Sequence, residues 1–198
     1  ASEMEEMLDS AGRTHNAGLV RHGLSPHAPY TVSQRLFVLL GQLAEKKGVP
    51  LAIHVAESLD EVRFTQESQG TFVEKLFPLI RWNRYVPEPR GQSPMEYLHS
   101  LGVLRKGTLA VHAVHVDDSD IEFLKKTGAS VAHCPRSNFF LKVGRAPVRR
   151  FLDSGIPVGL GTDSLASNTT LSLWDEMRFA RDLHPLESSH LLRMATLS

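Results

Sequence analysis

The fold prediction rests on residues 51–57, which read Leu-Ala-Ile-His-Val-Ala-Glu. This run is apolar except for His54 and the closing Glu57, and it is too short for a helix of ordinary length. Ser58 and Glu61, which follow it, have the spacing of a capping box at the start of a helix. A short apolar run that leads into a helix is typical of a strand buried on both faces.

The same alternation of apolar run and helical pattern extends in both directions from this stretch. The apolar runs cover residues 18–25, 51–56, 108–112, 129–133 and 156–162. Five strand–helix units with nearly continuous apolar strands predict an α/β fold, in which helices cover a parallel sheet. Residues 78–94 interrupt the pattern with four prolines and are predicted to form a long loop.

The composition narrows the class of protein. The 198 residues are 41% hydrophobic, which suits a globular domain rather than a disordered chain. Lys plus Arg and Asp plus Glu both number 22, so no basic excess points to nucleic acid. No apolar run is long enough to span a bilayer, and neither a nucleic-acid nor a membrane partner is expected. A single cysteine, Cys134, excludes an internal disulfide and suits a reducing compartment such as the cytoplasm.

Polar groups stand at or just after the ends of the predicted strands. In chain order they are His27, His54, Glu57, His112, His133 and Asp163. The carboxyl ends of parallel strands meet at one edge of a sheet or barrel, so these side chains are expected to lie close together. Because histidine is a common metal ligand and acid–base group, this edge is the predicted functional site.

The residues alone leave more than one role open for each group. His54, with Glu57 three residues later, combines a metal ligand with a nearby acid–base group. His112 suits a metal ligand, a base that holds water, or a group that supports either. Asp163 also suits a turn or a helix cap, and His27, which lies between two prolines, suits substrate contact or a cap.

Several other catalytic architectures are missing from the sequence. Cys134 has no second cysteine after it, so the Pro-Cys-x-x-Cys zinc motif of cytidine-type deaminases is absent. Cys134 and His133 point to opposite faces of a strand, which argues against a Cys–His nucleophile. A phosphate-binding loop, a Gly-x-Gly-x-x-Gly motif and a His-Glu-x-x-His motif do not occur. His115 and His133 are predicted to be structural or supporting residues.

Five motifs together resemble the amidohydrolase superfamily. They are His-Ala-Pro-Tyr-Thr at 27–31, Ile-His-Val-Ala-Glu at 53–57, Val-His-Ala-Val-His at 111–115, His-Cys-Pro-Arg-Ser-Asn at 133–138 and Gly-Thr-Asp-Ser-Leu-Ala-Ser-Asn at 161–168. Each motif is weak alone, but their order and spacing are similar to those of the methylthioadenosine/S-adenosylhomocysteine deaminase and chlorohydrolase group. The likeness runs from about residue 18 to the end of the chain.

The resemblance implies a (β/α)8 barrel, in which the five predicted strands correspond to strands four to eight. In this family the first strand carries a His-x-His pair of metal ligands, and both termini build a small β-domain. This chain has no His-x-His and begins at Ala1 rather than at methionine. Residues 1–198 are therefore expected to be the C-terminal portion of a single barrel domain, without the N-terminal strands and the small β-domain.

The resemblance also implies roles for five residues. His54 and Asp163 correspond to metal ligands, and Asp163 additionally accepts a proton from the attacking water. Glu57 corresponds to the acid–base group that contacts the substrate ring, and His112 to the residue that holds the attacking water. His27 resembles a substrate contact. The expected cofactor is one divalent metal, zinc in the first place and iron as the alternative.

The implied function is hydrolytic deamination of an aminopurine nucleoside or a related amino-heterocycle, with release of ammonia. S-adenosylhomocysteine, methylthioadenosine, adenosine and aminodeoxyfutalosine are the substrates considered. The alternatives are a chlorohydrolase or another amidohydrolase reaction on a heterocycle, and a metal-free barrel that serves as a scaffold. A small-molecule substrate is thus the expected partner. An incomplete barrel exposes strand edges, which favours association into a homo-oligomer.

Overall fold

A computed structural model describes residues 2–11 and 22–196 of the chain. Its centre is a parallel sheet of four strands, whose order in the sheet follows their order in the chain. The strands are β1 (Leu51–Val55), β2 (Thr108–His112), β3 (Ser130–His133) and β4 (Val158–Leu160). Val55 pairs with His112 and His133 with Leu160, so the carboxyl ends of all four strands share one edge.

Helices connect the strands and cover the sheet, as parallel crossovers require. The α-helices are α1 (Ser2–Ala11), α2 (Gln34–Lys47), α3 (Leu59–Glu67), α4 (Phe77–Leu79), α5 (Pro94–Ser100), α6 (Asp118–Thr127), α7 (Pro135–Phe140), α8 (Val148–Asp153), α9 (Leu173–Leu183) and α10 (Ser188–Thr196). A π-helix at Phe72–Leu76 and a 3₁₀-helix at Asn83–Tyr85 lie between α3 and α5. The predicted α/β class is therefore confirmed.

The structure also tests the five predicted strands. Four of them are confirmed to within two residues at each end. The predicted strand at 18–25 lies partly outside the described residues. Within the described part, Leu24 forms a parallel bridge with Leu51, and its carbonyl oxygen accepts the N–H of Ala52 at 2.9 Å. This bridge continues the parallel direction of the sheet on the outer side of β1.

The scaffold under the strand ends is a well-packed apolar core. Ile53 and Val55 of β1 pack with helix residues such as Phe37, Leu98 and Phe151, and each of these five is fully buried. Burial of one such side chain contributes about 1.5–3 kcal/mol to folding. The core therefore fixes the strands whose ends carry the polar groups.

One helix begins at a different residue from the one predicted. The spacing of Thr31 and Gln34 predicts a capping box, but α2 follows Ser33, whose hydroxyl accepts the N–H of Leu36 at 3.3 Å. The hydroxyl of Thr31 instead lies 2.7 Å from Nδ1 of His27. This correction moves Thr31 from the helix cap to the loop that carries His27.

The predicted loop at 78–94 is only partly irregular. Its first two residues belong to α4, its last residue begins α5, and the short 3₁₀-helix lies between them. Pro94 is at the first position of α5, where a proline does not interrupt helix hydrogen bonding. Among the helices that the structure describes, none is long and apolar enough to cross a membrane.

Candidate metal centre and active site

Side chains from three strand ends converge on one point. Ligand atoms of His54, His112 and Asp163 lie within 4.8 Å of one another. Nε2 of His54 is 3.9 Å from Oδ1 of Asp163, and Nε2 of His112 is 3.9 Å from Oδ2 of the same carboxylate. His54 and His112 lie on the adjacent strands β1 and β2, while Asp163 follows β4. The parallel sheet therefore brings together three residues that span 110 positions of the chain.

Both histidines direct Nε2 towards the carboxylate of Asp163. Nδ1 of His54 lies 3.1 Å from the main-chain oxygen of His27, and Nδ1 of His112 lies 2.8 Å from the side-chain oxygen of Asn138. Because these oxygens accept hydrogen bonds, each Nδ1 carries the hydrogen and donates it. In the neutral ring, which is the form of imidazole that binds metal ions, each Nε2 then keeps its lone pair.

The carboxylate of Asp163 is fixed by two hydroxyl groups. Ser137 and Ser167 donate to Oδ2 at 2.7 and 2.5 Å. Burial would raise the pKa of Asp163, but the hydrogen bonds from Ser167 and Ser137 and the nearby His112 outweigh burial and lower the pKa below its usual value. Its backbone φ of 56° lies in the left-handed region, which is uncommon outside glycine. Asp163 is thus held as an ionised group in one orientation.

The arrangement fits a cation between the three residues. Nε2 of His112 is buried and has no hydrogen-bond partner among the described residues. Two lone pairs and a carboxylate that face one another repel unless a positive charge lies between them. Imidazole nitrogen and carboxylate oxygen are ligands for zinc and iron alike. His54, His112 and Asp163 therefore surround a candidate metal centre, in which His54 and Asp163 are the ligands that the resemblance implied and His112 is the residue that it implied holds the attacking water.

Glu57 lies beside this centre with a free carboxylate. Its Oε1 is 3.6 Å from Nε2 of His112, and its side chain is 15% exposed. The carboxylate accepts no hydrogen bond from any described residue, whereas the main-chain N–H of Glu57 donates to Glu61. An acid that is largely buried and free of hydrogen bonds is well placed to exchange a proton with a bound molecule.

His27 borders the centre on the side of Leu24 and carries an exposed ring. The ring centroid lies 5.0 Å from that of His54 and 5.8 Å from that of Tyr30. Partial burial and the neighbouring His54 lower the pKa of His27 below its usual value, so the ring is neutral at pH 7. The structure thus places His27 next to the candidate metal centre, where a bound molecule can reach it.

An aromatic cavity adjoins the loop that carries His27. Its volume is about 410 Å³, which is in the range of small-molecule pockets. Tyr30 and Trp82 line the cavity, and Tyr30 stacks on Phe72 with 4.2 Å between ring centroids. Among the described residues that line it, Arg90 is the one with a charged side chain. The cavity therefore suits a mainly apolar group.

Two fully buried glutamates hold the backbone next to the site. Glu61 accepts the N–H groups of Ala56 and of the residue after it, at 2.8 and 2.9 Å. Glu176 accepts the side-chain amide of Asn168 at 2.7 Å. The same amide nitrogen donates to the carbonyl oxygen of Thr162 at 2.7 Å. Both glutamates thus act on the main chain rather than on the converging side chains.

The sequence did not assign these supporting residues to the site. Asn138 and Asn168 lie within the motifs quoted at 133–138 and 161–168, and that position is the signal that could have found them. The spacing of Glu61 indicates a capping box instead. Glu176 lies within a predicted helix, where nothing in a single sequence shows that its carboxylate is buried.

The remaining predicted residues lie outside the centre. His133 and His184 are buried and face each other with 3.0 Å between their Nε2 atoms. Nε2 of His115 lies 2.6 Å from the carbonyl oxygen of Val143. Cys134 is buried, and burial raises the pKa of its thiol, so it is not a reactive nucleophile. These contacts agree with the structural roles predicted for His115 and His133.

Comparison with known proteins extends these findings. A family model described as the amidohydrolase family matches residues 2–198. The chain is 37% identical to a 5'-deoxyadenosine deaminase of Methanopyrus kandleri, covering 98% of the chain and 43% of that protein. It is 39% identical to an aminodeoxyfutalosine deaminase of Deinococcus radiodurans, covering 95% of the chain and 46% of that protein. The chain thus spans less than half the length of these relatives.

A solved structure shows the same architecture. An adenosine deaminase from Xanthomonas campestris with bound zinc superposes on the chain with a TM-score of 0.81 and 27% sequence identity. The similarity covers 99% of the chain and 41% of the solved protein. The chain therefore shares its arrangement of sheet and helices with a zinc-binding deaminase over 99% of its length.

Proposed function

The chain belongs to the amidohydrolase family, and we propose that the full-length protein deaminates an aminopurine nucleoside or a related amino-heterocycle by hydrolysis. Its fold is of the α/β barrel type of that family. We further propose that residues 1–198 are the C-terminal portion of one barrel domain. The observation that carries the proposal is the pair of Nε2 atoms, of His54 and His112, that face Asp163 with Glu57 alongside.

The proposed cofactor is one divalent metal, with zinc preferred over iron. His54 and Asp163 would hold it, together with ligands that the family carries on its first barrel strand. The zinc bound to the Xanthomonas campestris deaminase supports this choice of metal. A bound divalent ion lowers the pKa of a water molecule from about 15.7 to about 7, which supplies hydroxide at neutral pH.

The chain's own residues would move the protons of the reaction. Asp163, whose pKa is lowered, accepts a proton from the attacking water. His112 lies closer to Glu57 than to Asp163, which favours a role in holding that water through its free Nε2. Glu57 donates a proton to a ring nitrogen and makes the adjacent carbon electrophilic. Water would add to that carbon, the proton that Asp163 took from the water would pass to the amino group, which leaves as ammonia, and the added hydroxyl would give its remaining proton to Glu57 as the carbonyl forms.

The proposed substrate class follows the relatives, whose names state deamination of 5'-deoxyadenosine, aminodeoxyfutalosine and adenosine. His27, with its exposed neutral ring, would contact the part of the nucleoside beyond the base. The aromatic cavity lined by Tyr30, Trp82 and Arg90 would take the substituent farthest from the base. Replacement of Trp82 by Ala is then expected to affect nucleosides with large substituents more than 5'-deoxyadenosine.

The test uses the full-length protein and its Glu57→Gln variant. Ammonia release from adenosine, 5'-deoxyadenosine and S-adenosylhomocysteine is measured, together with bound metal. We expect the variant to keep its metal and to lose about 10²- to 10⁴-fold in kcat, because the proton donor is missing. Glu67→Gln, at the exposed end of α3, is the matched control and is expected to have normal activity. Near-normal turnover in Glu57→Gln would contradict the assigned role.

The same measurements separate the alternative functions. Release of chloride from a chlorinated heterocycle, without ammonia from any nucleoside, would favour a chlorohydrolase. A protein that contains no metal and gains no activity when zinc is added would favour a scaffold. Retention of His54, Glu57, His112 and Asp163 in one cluster argues against a scaffold, because a metal-free barrel has no need of them.

Two further proposals concern the setting of the protein. A cytoplasmic location is proposed, since the one cysteine is a buried free thiol. Association of residues 1–198 into a homo-oligomer is proposed because the strand edges of an incomplete barrel favour association. Fractionation of cells tests the location, and light scattering of the purified 1–198 chain tests the association.

A further inference from the structure

Glu61 is a fully buried acid whose carboxylate reaches back past the start of its own helix. Oε1 accepts the N–H of Ala56 at 2.8 Å, and Oε2 accepts the N–H of Glu57 at 2.9 Å. In a capping box, this third residue of the helix would bind the N–H of the cap residue, Ser58. The carboxylate passes over Ser58 and binds the first two residues after β1, Ala56 and Glu57.

The peptide that Glu61 binds is also a junction between β1 and β2. The carbonyl oxygen of Ala56 accepts the N–H groups of Val114 and His115, both at 2.9 Å. Ala56 has a φ of 53°, and His112 at the end of β2 has a φ of 73°. Non-glycine residues adopt this left-handed conformation only where the surrounding structure enforces it. Glu61 thus anchors a strained connection that links the backbones behind two of the converging side chains.

The contacts use both oxygens of the side chain as hydrogen-bond acceptors. Both N–H groups need an acceptor, and a carboxylate offers one oxygen to each. A glutamine would present an NH₂ group to one of the two donors and would lose that hydrogen bond. Burial raises the pKa of Glu61 to about 8 despite the two backbone N–H groups, which pull it down. Burial makes ionisation of Glu61 costly, which distinguishes it from the glutamate of an exposed capping box.

We propose that Glu61 is a positioning residue, which holds the Ala56–Glu57 peptide so that the carboxylate of Glu57 lies beside His112. The inference rests on the proposed function for its effect on turnover. Its effect on the backbone does not depend on that function. The carboxylate of Glu57 accepts no hydrogen bond from the described residues, so its location is set by the main chain from which it extends.

The test compares Glu61→Gln with Asp120→Asn in the full-length protein. Asp120 is a matched control: it is buried, it is the third residue of α6, and its carboxylate accepts the N–H of Asp117 and the hydroxyl of Ser93. It belongs to no contact of the candidate site. We expect Glu61→Gln to lower kcat about 10- to 100-fold with little change in KM, as misplacement of a reacting group does.

Three readouts distinguish positioning from a general loss of stability. Thermal unfolding is expected to show similar destabilisation in both variants, whereas kcat falls only in Glu61→Gln. Hydrogen exchange of the peptide that spans 55–58 is expected to accelerate in Glu61→Gln and not in Asp120→Asn. In a double-mutant cycle, Glu61→Gln is expected to add little to Glu57→Gln, because both act through the same carboxylate.

The outcomes separate this inference from the proposed function. Additive effects in the cycle, equal losses of kcat in Asp120→Asn, or unchanged exchange at 55–58 would each overturn the positioning role. Faster exchange at 55–58 in a protein that releases no ammonia from any nucleoside would support the role and reject the proposed reaction. Should Glu61→Gln fail to fold, Glu61→Asp keeps the charge on a shorter stem and is expected to show the same loss of kcat.

Discussion

The two ends of the candidate site are held in different ways. At the end of β1 the main chain is clamped directly by Glu61, while the carboxylate of Glu57 has no hydrogen bond from the described residues. Beyond β4 the carboxylate of Asp163 is fixed by two hydroxyls. The carbonyl oxygen of Thr162, just before Asp163, accepts the side-chain amide of Asn168. At the end of β1 the backbone is fixed and the carboxylate of Glu57 is free of hydrogen bonds from the described residues. Beyond β4 the carboxylate of Asp163 is itself fixed by hydrogen bonds.

This difference matches two kinds of chemistry. A metal ligand serves best when its carboxylate has one orientation before the ion arrives. An acid that transfers a proton must be able to follow the atoms that it protonates, and hydrogen bonds to its carboxylate would oppose that movement. The contrast between Asp163 and Glu57 therefore supports the assignment of the first to the metal and of the second to proton transfer.

The largest expected effect comes from removing the fixed acid. Asp163→Asn leaves an uncharged oxygen in place of the carboxylate and removes the proposed proton acceptor. We expect loss of bound metal and a decrease in kcat of about 10³-fold or more, measured by metal analysis and ammonia release. Asp153→Asn, an exposed change on α8, is the control. Normal metal content in Asp163→Asn would mean that the fixed acid is not a ligand.

An intermediate effect is expected at the connection through Asn168. Asn168→Ala removes the donor to the carbonyl of Thr162 and leaves Glu176 without its amide partner. We expect metal affinity to fall about 10- to 100-fold, in line with other residues that orient a ligand. Competition with a chelator measures that affinity. An unchanged affinity would show that Ser137 and Ser167 are sufficient to hold Asp163.

A smaller effect is expected for Glu176→Gln. The glutamine oxygen still accepts the amide of Asn168, so the substitution removes the hydrogen bond from the N–H of Arg136, which is 3.2 Å long. We expect kcat to fall about threefold, less than in Glu61→Gln, because a neutral acceptor replaces a charged one. Steady-state kinetics of the two variants side by side give the ranking. A greater loss of kcat in Glu176→Gln than in Glu61→Gln would contradict this ranking, which assumes that Glu61 acts directly on the main chain and Glu176 acts through Asn168.

The smallest effect is expected at the end of β3, where His133 faces His184. Burial lowers the pKa of His133 to about 3 and of His184 to about 4 in the folded protein, against 6.5 for an ordinary histidine. Below about pH 6.5 these two histidines bind protons in the unfolded chain but stay neutral in the folded protein. The free energy of unfolding is therefore expected to fall as the pH falls. His184→Gln cannot take up this proton.

Thermal unfolding at pH 7.5 and pH 5.0 tests this expectation, with chelator present in every sample. The loss of stability between the two values is expected to be smaller in His184→Gln, by on the order of 1–2 kcal/mol. Activity at pH 7.5 is expected to be unchanged, because neither histidine of the pair contacts the candidate centre. An identical pH dependence in both proteins would show that the pair does not control acid stability.

The strands and their polar ends could be predicted from the sequence. Buried strands appear as short apolar runs, and the parallel direction of the strands brings the polar residues at their ends to one edge of the sheet. The run 51–56 is apolar at its buried positions Leu51, Ile53 and Val55, and the run 108–112 is apolar at its three central positions, so β1 and β2 were found with accurate bounds. Helix α7 was missed because it has six residues and little periodicity. Thr31 was misplaced because Ser33, two residues later, offers an equally good cap.

The sequence could not predict how the site is supported. Ser58 and Glu61 have the same spacing whether the glutamate closes a capping box or clamps the preceding loop. The choice depends on whether the loop folds back over the helix, which is decided by the contacts of Ala56 with the turn after β2. The converging acids and histidines were predictable, whereas the hydrogen bonds that fix or free them depend on tertiary packing.

The hydrogen bond from His54 to residue 27 has a consequence for how such a protein changes over evolution. The acceptor is the main-chain oxygen of residue 27, so the orientation of the His54 ring does not depend on the side chain at that position. If His27 contacts the substrate as proposed, a mutation there would alter recognition while the ring of His54 stays aligned. The proposed recognition and metal binding would then be separable, so that single mutations could change the preferred substrate without loss of the metal site.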